Sequence, residues 1–230
     1  MGKYGIEIKD VTKSYMDGEK KRIILDRVDL QVKAGEFVAI VGPSGSGKST
    51  FLSIAGALLS PEEGKVIING KEIGQKSWTE TRRNNIGFIF QNHQLIPYLK
   101  VEDQLKMVSK LANKSESKLG DELLKELGLE ESKKKFPHQL SGGENQRVAI
   151  ARAFMNDPEV ILADEPTASL DKERGLQVVK LIAEEVKKRN KAAIMVTHDE
   201  RVLDLVDSIY YLVDGKLSKR IDKLEEVVNS

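Results

Sequence analysis

Apolar and polar residues follow two kinds of pattern along the chain. In three short segments they alternate, which predicts β-strands with one exposed face. These segments span 6–15, 27–32 and 65–73. In four other segments nearly every residue is apolar, which predicts strands that are buried on both faces. These span 37–42, 86–90, 160–164 and 192–197.

Helical patterns lie between the buried strands. The clearest spans 172–188 and places four apolar residues on one side: Leu176, Val179, Ile182 and Val186. Buried strands that alternate with helices predict an α/β fold with a mainly parallel sheet. The region 92–157 has no strand pattern and predicts an inserted all-helical subdomain. We expect one domain over 1–230, in which 1–91 and 158–230 form the α/β core together with an antiparallel β subdomain.

The composition excludes several classes of protein. The chain has 37 Lys and Arg against 36 Asp and Glu, so its net charge of +1 predicts no nucleic-acid partner. It has no cysteine, which excludes disulfides, thiolate catalysis and cysteine-ligated metals. The longest uncharged stretch, 49–61, is shorter than the roughly 20 apolar residues that span a bilayer. We therefore expect no direct insertion into lipid, and the N-terminal residues predict no signal peptide.

The segment GPSGSGKST follows the first buried strand and contains the spacing G-x-x-x-x-G-K-S. Glycines let the backbone turn its N–H groups toward a phosphate chain, and a following helix adds its dipole. Lys48 is expected to reach the outer phosphates, and the Ser49 hydroxyl to ligate Mg²⁺. The segment is therefore predicted to be a nucleotide-binding P-loop. It comprises Gly42, Pro43, Ser44, Gly45, Ser46, Gly47, Lys48, Ser49 and Thr50.

Two adjacent acids end another buried strand. In VILADEPT, Asp164 stands at the carboxyl end of the strand, where ligands of open α/β sheets bind. It is placed to hold Mg²⁺, and Glu165 can polarise a water for attack on a γ-phosphate. Adjacent acids at a strand end also occur in solvated turns. Beside a P-loop, the catalytic interpretation is favoured.

The segment LSGGENQR combines a capping box with two glycines at the start of a helix. The box runs from Ser141 to Glu144, and Gly142 and Gly143 leave backbone N–H groups open to an anion. One P-loop already serves one nucleotide, so a second anion site is surplus within a monomer. Two chains arranged head to tail would place each surplus site over the partner's ATP.

Two further polar residues follow buried strands. The segment THDE fits T-x-x-E, which predicts a helix start with His198 at its first position. A lone histidine is more often structural, but its place beside the other strand ends favours a role at the nucleotide. Gln91 follows the strand at 86–90 and is expected to contact Mg²⁺ or the attacking water.

These elements, in this order, resemble the ATP-binding subunit of ABC transporters. The resemblance covers nearly the whole chain. The matching motifs are the P-loop, the Q-loop at Gln91, the signature at 140–144, Walker B at 160–165, the D-loop at 168–171 and the switch histidine His198. It implies the ABC ATPase fold of P-loop NTPases and binding of ATP and Mg²⁺. It also implies that Tyr15 stacks on adenine. Catalysis would rest on Glu165, His198 and Lys48.

The resemblance further implies an ATPase that forms a homodimer around two ATP molecules and drives integral-membrane permease subunits. Such a subunit is held by the permease at the cytoplasmic face of the cell membrane. GPSGSGKST, RRNNIGFIFQ and LADEPTASLD are similar to the group that serves macrolide-export, lipoprotein-release and cell-division-type permeases. PHQLSGGENQRVAIARAFMNDP is similar to the ATPases of haem exporters, which makes haem export the expected function. The alternatives are antibiotic or antimicrobial-peptide resistance, lipoprotein release, and regulation without cargo.

The segment HQLIPYLKV, at 93–101, carries five neighbouring apolar or aromatic residues: Leu95, Ile96, Pro97, Tyr98 and Leu99. Five are too many for a solvated loop, so they belong either to the core or to an interface. The interface interpretation makes them part of a groove for a permease helix, with Tyr98 as the anchor.

Overall fold

The computed structural model describes residues 4–112, 118–168 and 170–220. Its strands in these ranges are β1 (Ile6–Asp17), β2 (Lys20–Val32), β3 (Phe37–Val41), β4 (Glu63–Ile68), β5 (Lys71–Glu72), β6 (Ile86–Ile89), β7 (Val160–Asp164), β8 (Ala192–Val196), β9 (Ser208–Val213) and β10 (Lys216–Lys219). Its α-helices are α1 (Lys48–Ala55), α2 (Trp78–Asn85), α3 (Val101–Leu111), α4 (Lys118–Glu126), α5 (Gly142–Phe154) and α6 (Lys172–Lys188). Short 3₁₀ helices span Gln75–Ser77, Glu130–Ser132, Pro137–Gln139 and Glu200–Leu205. Within the described ranges, no helix is both long and apolar enough to cross a bilayer.

The strands form two sheets. The six-stranded sheet has the order β10-β9-β3-β8-β7-β6, and its strands from β9 to β6 run parallel. The four-stranded sheet, β2-β1-β4-β5, is antiparallel. Asn69 and Gly70 join β4 to β5 with positive φ angles of 47° and 77°, as a tight hairpin turn requires. This confirms the predicted α/β class with a mainly parallel sheet and an antiparallel β subdomain.

Both faces of the parallel sheet are buried, because successive residues of each strand point to opposite sides. In β3, Phe37 and Ala39 belong to an apolar cluster that includes residues of α3, α4, α5 and α6. Val38 and Ile40 belong to a second cluster, which includes residues of α1 and of the four-stranded sheet. The strands therefore have continuously apolar sequences because each face has its own partner.

Between β6 and β7 the described residues form the helices α3, α4 and α5, two short 3₁₀ helices and connecting loops, without a strand. Apolar side chains of α3, α4 and α5, such as Leu105, Leu123 and Phe154, belong to the same cluster as one face of the parallel sheet. The helices are thus held against the sheet by shared packing. The domain boundaries at 92 and 157 stay a prediction, since a shared core does not mark them.

Three elements had no counterpart in the sequence prediction: α2, β9 and β10. None of the residues of α2 is buried, so it has no apolar face to detect. β9 is mostly half-exposed, and β10 is exposed or half-exposed throughout. The β1–β2 hairpin also extends further toward its turn than the alternating pattern indicated.

Gly87 in β6 offers a test of the packing between the sheet and α5. A Cβ added at Gly87 would lie 2.1 Å from the carbonyl oxygen of Ala153. We expect Gly87→Ala to lower the free energy of unfolding by about 1–3 kcal/mol, because backbone on one side must move. Chemical denaturation without nucleotide measures this. Gly74→Ala is the matched control, since Gly74 has an ordinary φ of −88° and no atom in the described part of the chain lies within 4 Å of an added Cβ. Equal midpoints for the two variants would contradict the prediction.

Candidate functional site

Four neighbouring strands of the parallel sheet, in the order β3-β8-β7-β6, lead into the predicted site residues. β3 leads into the P-loop, β8 into His198, β7 into Glu165 and β6 into Gln91. Parallel strands present their carboxyl ends at the same edge of a sheet. The topology therefore brings together segments that lie far apart in the sequence.

The P-loop turns tightly between β3 and α1. Gly45 and Gly47 have φ angles of 79° and 100°, a region that favours glycine. A Cβ on Gly42 would lie 2.2 Å from the carbonyl oxygen of Leu212, so this glycine allows the loop to approach β9 closely. α1 begins at Lys48, directly after Gly47, and its N-terminus therefore adjoins the loop.

Polar groups of the P-loop fit a phosphate chain. The Lys48 ammonium donates hydrogen bonds to the carbonyl oxygens of Gly42, at 2.8 Å, and Pro43, at 3.0 Å. Ser46 Oγ is buried and has no hydrogen-bond partner among the described residues. A buried hydroxyl without a partner costs about 1–3 kcal/mol, and a phosphate oxygen would accept its hydrogen bond. Pro43, Ser44 and Ser49 are exposed along the loop, where a ligand can reach it.

Asp164 and Glu165 lie at the end of β7. Burial raises the pKa of Asp164, the Glu165 carboxylate raises it further, and Lys48 acts in the opposite direction. Helix α1, which begins at Lys48, contacts β7, so the helix that follows the P-loop lies beside the strand that ends at Asp164. Glu165 has a positive φ of 46°, a conformation that costs a non-glycine residue about 1–3 kcal/mol. Its backbone N–H is held by the carbonyl oxygen of Val196 in β8, at 3.0 Å.

His198 and Glu165 are in direct contact. His198 Nδ1 lies 2.9 Å from Oε2 of Glu165, and the backbone N–H of His198 donates to the same oxygen at 3.3 Å. The imidazole is 68% exposed, so its outer edge faces solvent. The two residues therefore form a pair, which matches their predicted proximity at the edge of the sheet.

The predicted helix start at 197–200 was wrong. A 3₁₀ helix begins at Glu200 and is capped by Asp199, which accepts a hydrogen bond from the backbone N–H of Arg201. Thr197 instead accepts a hydrogen bond from the N–H of Asp199 within the turn. His198 thus lies before the helix and not at its first position, because Asp199 competes successfully for the cap.

Three residues offer oxygen ligands of the kind that Mg²⁺ prefers. The hydroxyl of Ser49 lies in the first turn of α1, the carboxylate of Asp164 ends β7, and the amide of Gln91 follows β6. Ser49 and Gln91 are exposed. A cation here would offset the like charges of Asp164 and Glu165 that contribute to the raised pKa of Asp164. The set of donors therefore fits Mg²⁺.

The residues after Gln91 are held by a contact that the sequence did not predict. His93 and Gln94 have positive φ angles of 52° and 48°. The Arg152 guanidinium in α5 donates to the carbonyl oxygens of both, at 2.7 Å for His93 and 2.5 Å for Gln94. Burial lowers the pKa of His93, as does the nearby Arg152. Arg152 belongs to α5, the helix that starts at the signature. Its hydrogen bonds therefore connect this helix to the residues that follow Gln91.

Tyr15 lies in the β1–β2 hairpin with 45% of its surface exposed. Arg22 is its cross-strand neighbour. Two residues further along β2, Ile24 touches the P-loop: a Cβ on Gly47 would lie 2.9 Å from its carbonyl oxygen. The hairpin that carries Tyr15 therefore adjoins the P-loop, which is the placement that a platform for adenine requires.

The signature forms the predicted capping box at the start of α5. Ser141 Oγ accepts the N–H of Glu144 at 3.2 Å, and the Glu144 carboxylate accepts the N–H of Ser141 at 2.8 Å. A further hydrogen bond from Ser132 is the main cause of a Glu144 pKa of about 2. No atom of the described residues lies within 4 Å of a Cβ added to Gly142. The box thus holds an open helix N-terminus in place.

A cavity of about 240 Å³ lies beside the signature. It is lined by Ser141, Gly142 and Gly143 and by residues near or on α6, including Arg174, and Arg147 adds a second guanidinium. No P-loop residue lines it. The cavity at the signature is thus formed without the P-loop of the same chain, and sequence reasoning missed both arginines.

Of the D-loop residues, Ser169 lies outside the described residues. Asp171 caps α6 by accepting a hydrogen bond from the N–H of Arg174 at 2.9 Å. Leu170 lines the cavity beside the signature.

The chain is similar to known proteins over most of its length. Residues 25–168 match the family model described as ABC transporter. A protein from Staphylococcus haemolyticus, named putative hemin import ATP-binding protein HrtA, is 45% identical over 217 residues, which cover 92% of this chain and 98% of that protein.

Two solved structures of the bacterial ABC transporter cassette MJ0796 are 40% identical with TM-scores of 0.81, and each covers 94% of this chain and 99% of the other. One is a dimer, and the other is a dimeric post-hydrolysis state bound to ADP and Pi. The fold, the P-loop and these likenesses agree. The chain therefore belongs to the ABC transporter family and is one of its ATP-hydrolysing cassettes.

Proposed function

We propose that two copies of this chain close around two ATP molecules and that each active site is shared between them. The observation that carries the proposal is the open N-terminus of α5. Gly142 has free space around it, and the adjoining cavity contains no residue of the chain's own P-loop. Exposed N–H groups at a helix N-terminus attract anions. The dimeric state of the cassette MJ0796 supports the same arrangement.

The chemistry assigns one role to each group of the site. The P-loop N–H groups, Lys48 and Ser46 bind the phosphates, and Tyr15 stacks on the adenine. Ser49, Gln91 and Asp164 would hold Mg²⁺, which offsets phosphate charge. Glu165 accepts the proton of a water as that water attacks the γ-phosphorus and ADP leaves. The backbone N–H of His198 donates a hydrogen bond to the Glu165 carboxylate at 3.3 Å, and His198 thereby orients the catalytic base.

The partner of the dimer is an integral-membrane permease, and Tyr98 is its docking anchor. Tyr98 is 79% exposed at the tip of the loop between β6 and α3. Leu95, by contrast, packs against the core. Leu95 thus fits the core interpretation of 93–101, and the exposure of Tyr98 supports the interface interpretation for that residue. A permease would hold the cassette at the cytoplasmic face of the membrane.

Gln104 makes the Tyr98 loop rigid. Its side chain is fully buried in α3, where its amide donates to the carbonyl oxygen of Ile96 at 2.7 Å and accepts the N–H of Ile96 at 3.2 Å. A further hydrogen bond reaches the carbonyl oxygen of Leu99 at 3.3 Å. These contacts hold the backbone on both sides of Tyr98. A rigid, exposed tyrosine suits an interface, because little conformational entropy is lost on binding.

We propose hemin as the cargo. The support is the name of the staphylococcal relative, which refers to hemin, together with the likeness of the sequence to haem-exporter ATPases. That name says import, whereas the sequence resemblance favours export. In either case the two cassettes close around ATP and open after hydrolysis. The permease therefore determines the direction in which hemin is transported.

Glu165→Gln tests the catalytic assignment. The amide cannot accept a proton, so we expect hydrolysis to slow by about 10²–10⁴-fold while ATP binding persists. Because hydrolysis opens the dimer, the variant should elute as an ATP-bound dimer in gel filtration. Lys48→Ala is the control, since it should lose nucleotide affinity or turnover without trapping a dimer. Normal turnover, or a monomer at saturating ATP, would exclude Glu165 as the base.

The same variant reports on cargo and direction in cells. Cells that carry Glu165→Gln should accumulate hemin if the transporter exports it and should lose hemin uptake if the transporter imports it. Unchanged hemin content would contradict hemin as the cargo.

Gly142→Asp tests whether the site is composite. The open space around Gly142 admits the carboxylate without an intrachain clash. In a closed dimer it would meet the partner's γ-phosphate, where unpaired like charges cost several kcal/mol. We expect each monomer to bind ATP normally and hydrolysis to be abolished, with less loss in the neutral control Gly142→Asn.

A mixture of Gly142→Asp and Lys48→Ala proteins extends this test. A mixed dimer has one site with both changes and one with neither, so partial recovery of ATPase activity is expected. Loss of ATP binding by isolated Gly142→Asp monomers would mean that the signature contacts nucleotide within its own chain.

Tyr98→Ala tests the docking anchor. Since the side chain is largely exposed, we expect unchanged thermal stability and retained ATPase activity of the isolated cassette. Co-purification with the permease and transport should both weaken. Tyr211→Ala is the control, because Tyr211 is also exposed but lies in β9. A variant that mainly lowers thermal stability, with permease binding unchanged, would assign Tyr98 to the core.

A further inference from the structure

Among the described residues, no third strand pairs with the outer part of the β1–β2 hairpin. β4 pairs with β1 from Ile6 to Thr12, whereas β2 pairs with β1 as far as Asp17. Tyr15 therefore lies in a two-stranded ribbon that extends past the sheet. A ribbon of two strands is only marginally stable by itself in water.

A single carboxylate takes the place of the missing strand. Glu62, the residue before β4, accepts a hydrogen bond from the Ser14 hydroxyl, whose oxygen lies 2.7 Å from one carboxylate oxygen and 2.9 Å from the other. It also accepts the backbone N–H of Ser14 at 3.2 Å. The N–H of Glu62 is itself bound to the carbonyl oxygen of Thr12 at 2.9 Å. Glu62 thus extends the contact of the β4 segment with β1 beyond Thr12, the last residue of β1 that pairs with β4.

The same carboxylate reaches the second strand of the ribbon. Lys21 Nζ lies 3.1 Å from Glu62 Oε2, and Lys21 pairs with Met16 across the hairpin. The hydrogen bond from Ser14 is the largest cause of a lowered pKa of Glu62, and Lys21 acts in the same direction. Both strands are therefore tied to one charged group.

Ser14 and Tyr15 point to opposite faces of the strand, because neighbouring residues alternate. Ser14 is 5% exposed and held by Glu62, while Tyr15 leaves its ring accessible with Lys13 Nζ 5.6 Å from the centroid. The clamp therefore fixes the backbone of Tyr15 without covering the ring.

We propose that Ser14 and Glu62 are positioning residues for Tyr15 and so set the affinity for the adenine ring. The proposal rests on the adenine-binding role of Tyr15 stated above. Ser14 and Glu62 act through the backbone of Tyr15. They order the ribbon when the protein folds, so ATP does not have to order it on binding.

Ser14→Ala and Glu62→Ala test this proposal. If the clamp keeps the ribbon in its binding conformation, the KM for ATP should rise about fivefold to tenfold as that population falls. At saturating ATP, kcat should change less than twofold. Competitive inhibition by inorganic tripolyphosphate should stay the same, because that probe has no base to stack on Tyr15. A general loss of structure would weaken both ligands alike, and that outcome would overturn the proposal.

Three controls sharpen the result. Ser14→Thr keeps the hydroxyl and should restore the KM, while Glu63→Gln changes an exposed neighbour and should have no effect. The double variant Ser14→Ala/Glu62→Ala should match the single ones, because the two residues act as a unit. Additive effects would mean that the two residues act separately.

Tyr15→Ala separates this inference from the proposed function. If Tyr15→Ala raises the KM for ATP and the clamp variants do not, the positioning role is wrong. If Tyr15→Ala leaves the KM unchanged, the adenine role of Tyr15 itself fails.

Discussion

Burial of the parallel sheet on both faces is the constraint on which the rest of the structure depends. In β3, β7 and β8, side chains of alternate residues are committed to two separate apolar clusters. A strand interior of this kind has no room for a polar group without a hydrogen-bond partner. The polar residues must therefore stand where the strands end. The residues of the site therefore lie along one edge of the sheet because both of its faces are packed.

The segments at this edge adopt conformations that packing must maintain. Glu165 and the pair His93 and Gln94 have positive φ angles although none of them is glycine. Each is held by a neighbouring element: Glu165 by the carbonyl oxygen of Val196, and the pair by Arg152. Strain of this kind persists only when the surroundings determine it. The rigid sheet and α5 supply those surroundings.

The remaining parts of the site come from elements outside the parallel sheet. The signature lies at the start of α5, the Tyr15 ribbon extends from the antiparallel sheet, and the Tyr98 loop is held by Gln104 of α3. In each case a polar side chain fixes a backbone segment: Glu144, Glu62 and Gln104. Side-chain hydrogen bonds of this type stabilise short segments that lack regular partners.

Sequence patterns alone predict the class of fold, the P-loop, the strand ends at Asp164 and Glu165, and the capping box of the signature. Each of these depends on local spacing: apolar runs, glycines at fixed intervals, or a serine three residues before a glutamate. Such patterns are visible because they reflect contacts within one element or one turn.

Which of these segments meet depends on how the sheets and helices pack together. The strand order places His198 against Glu165, 33 residues away in the sequence. Arg152 and Gln94 are bonded although they lie 58 residues apart, and Ser14 and Glu62 although they lie 48 apart. Contacts over such distances leave no local pattern, because their residues become neighbours only when the two sheets and the helices pack together.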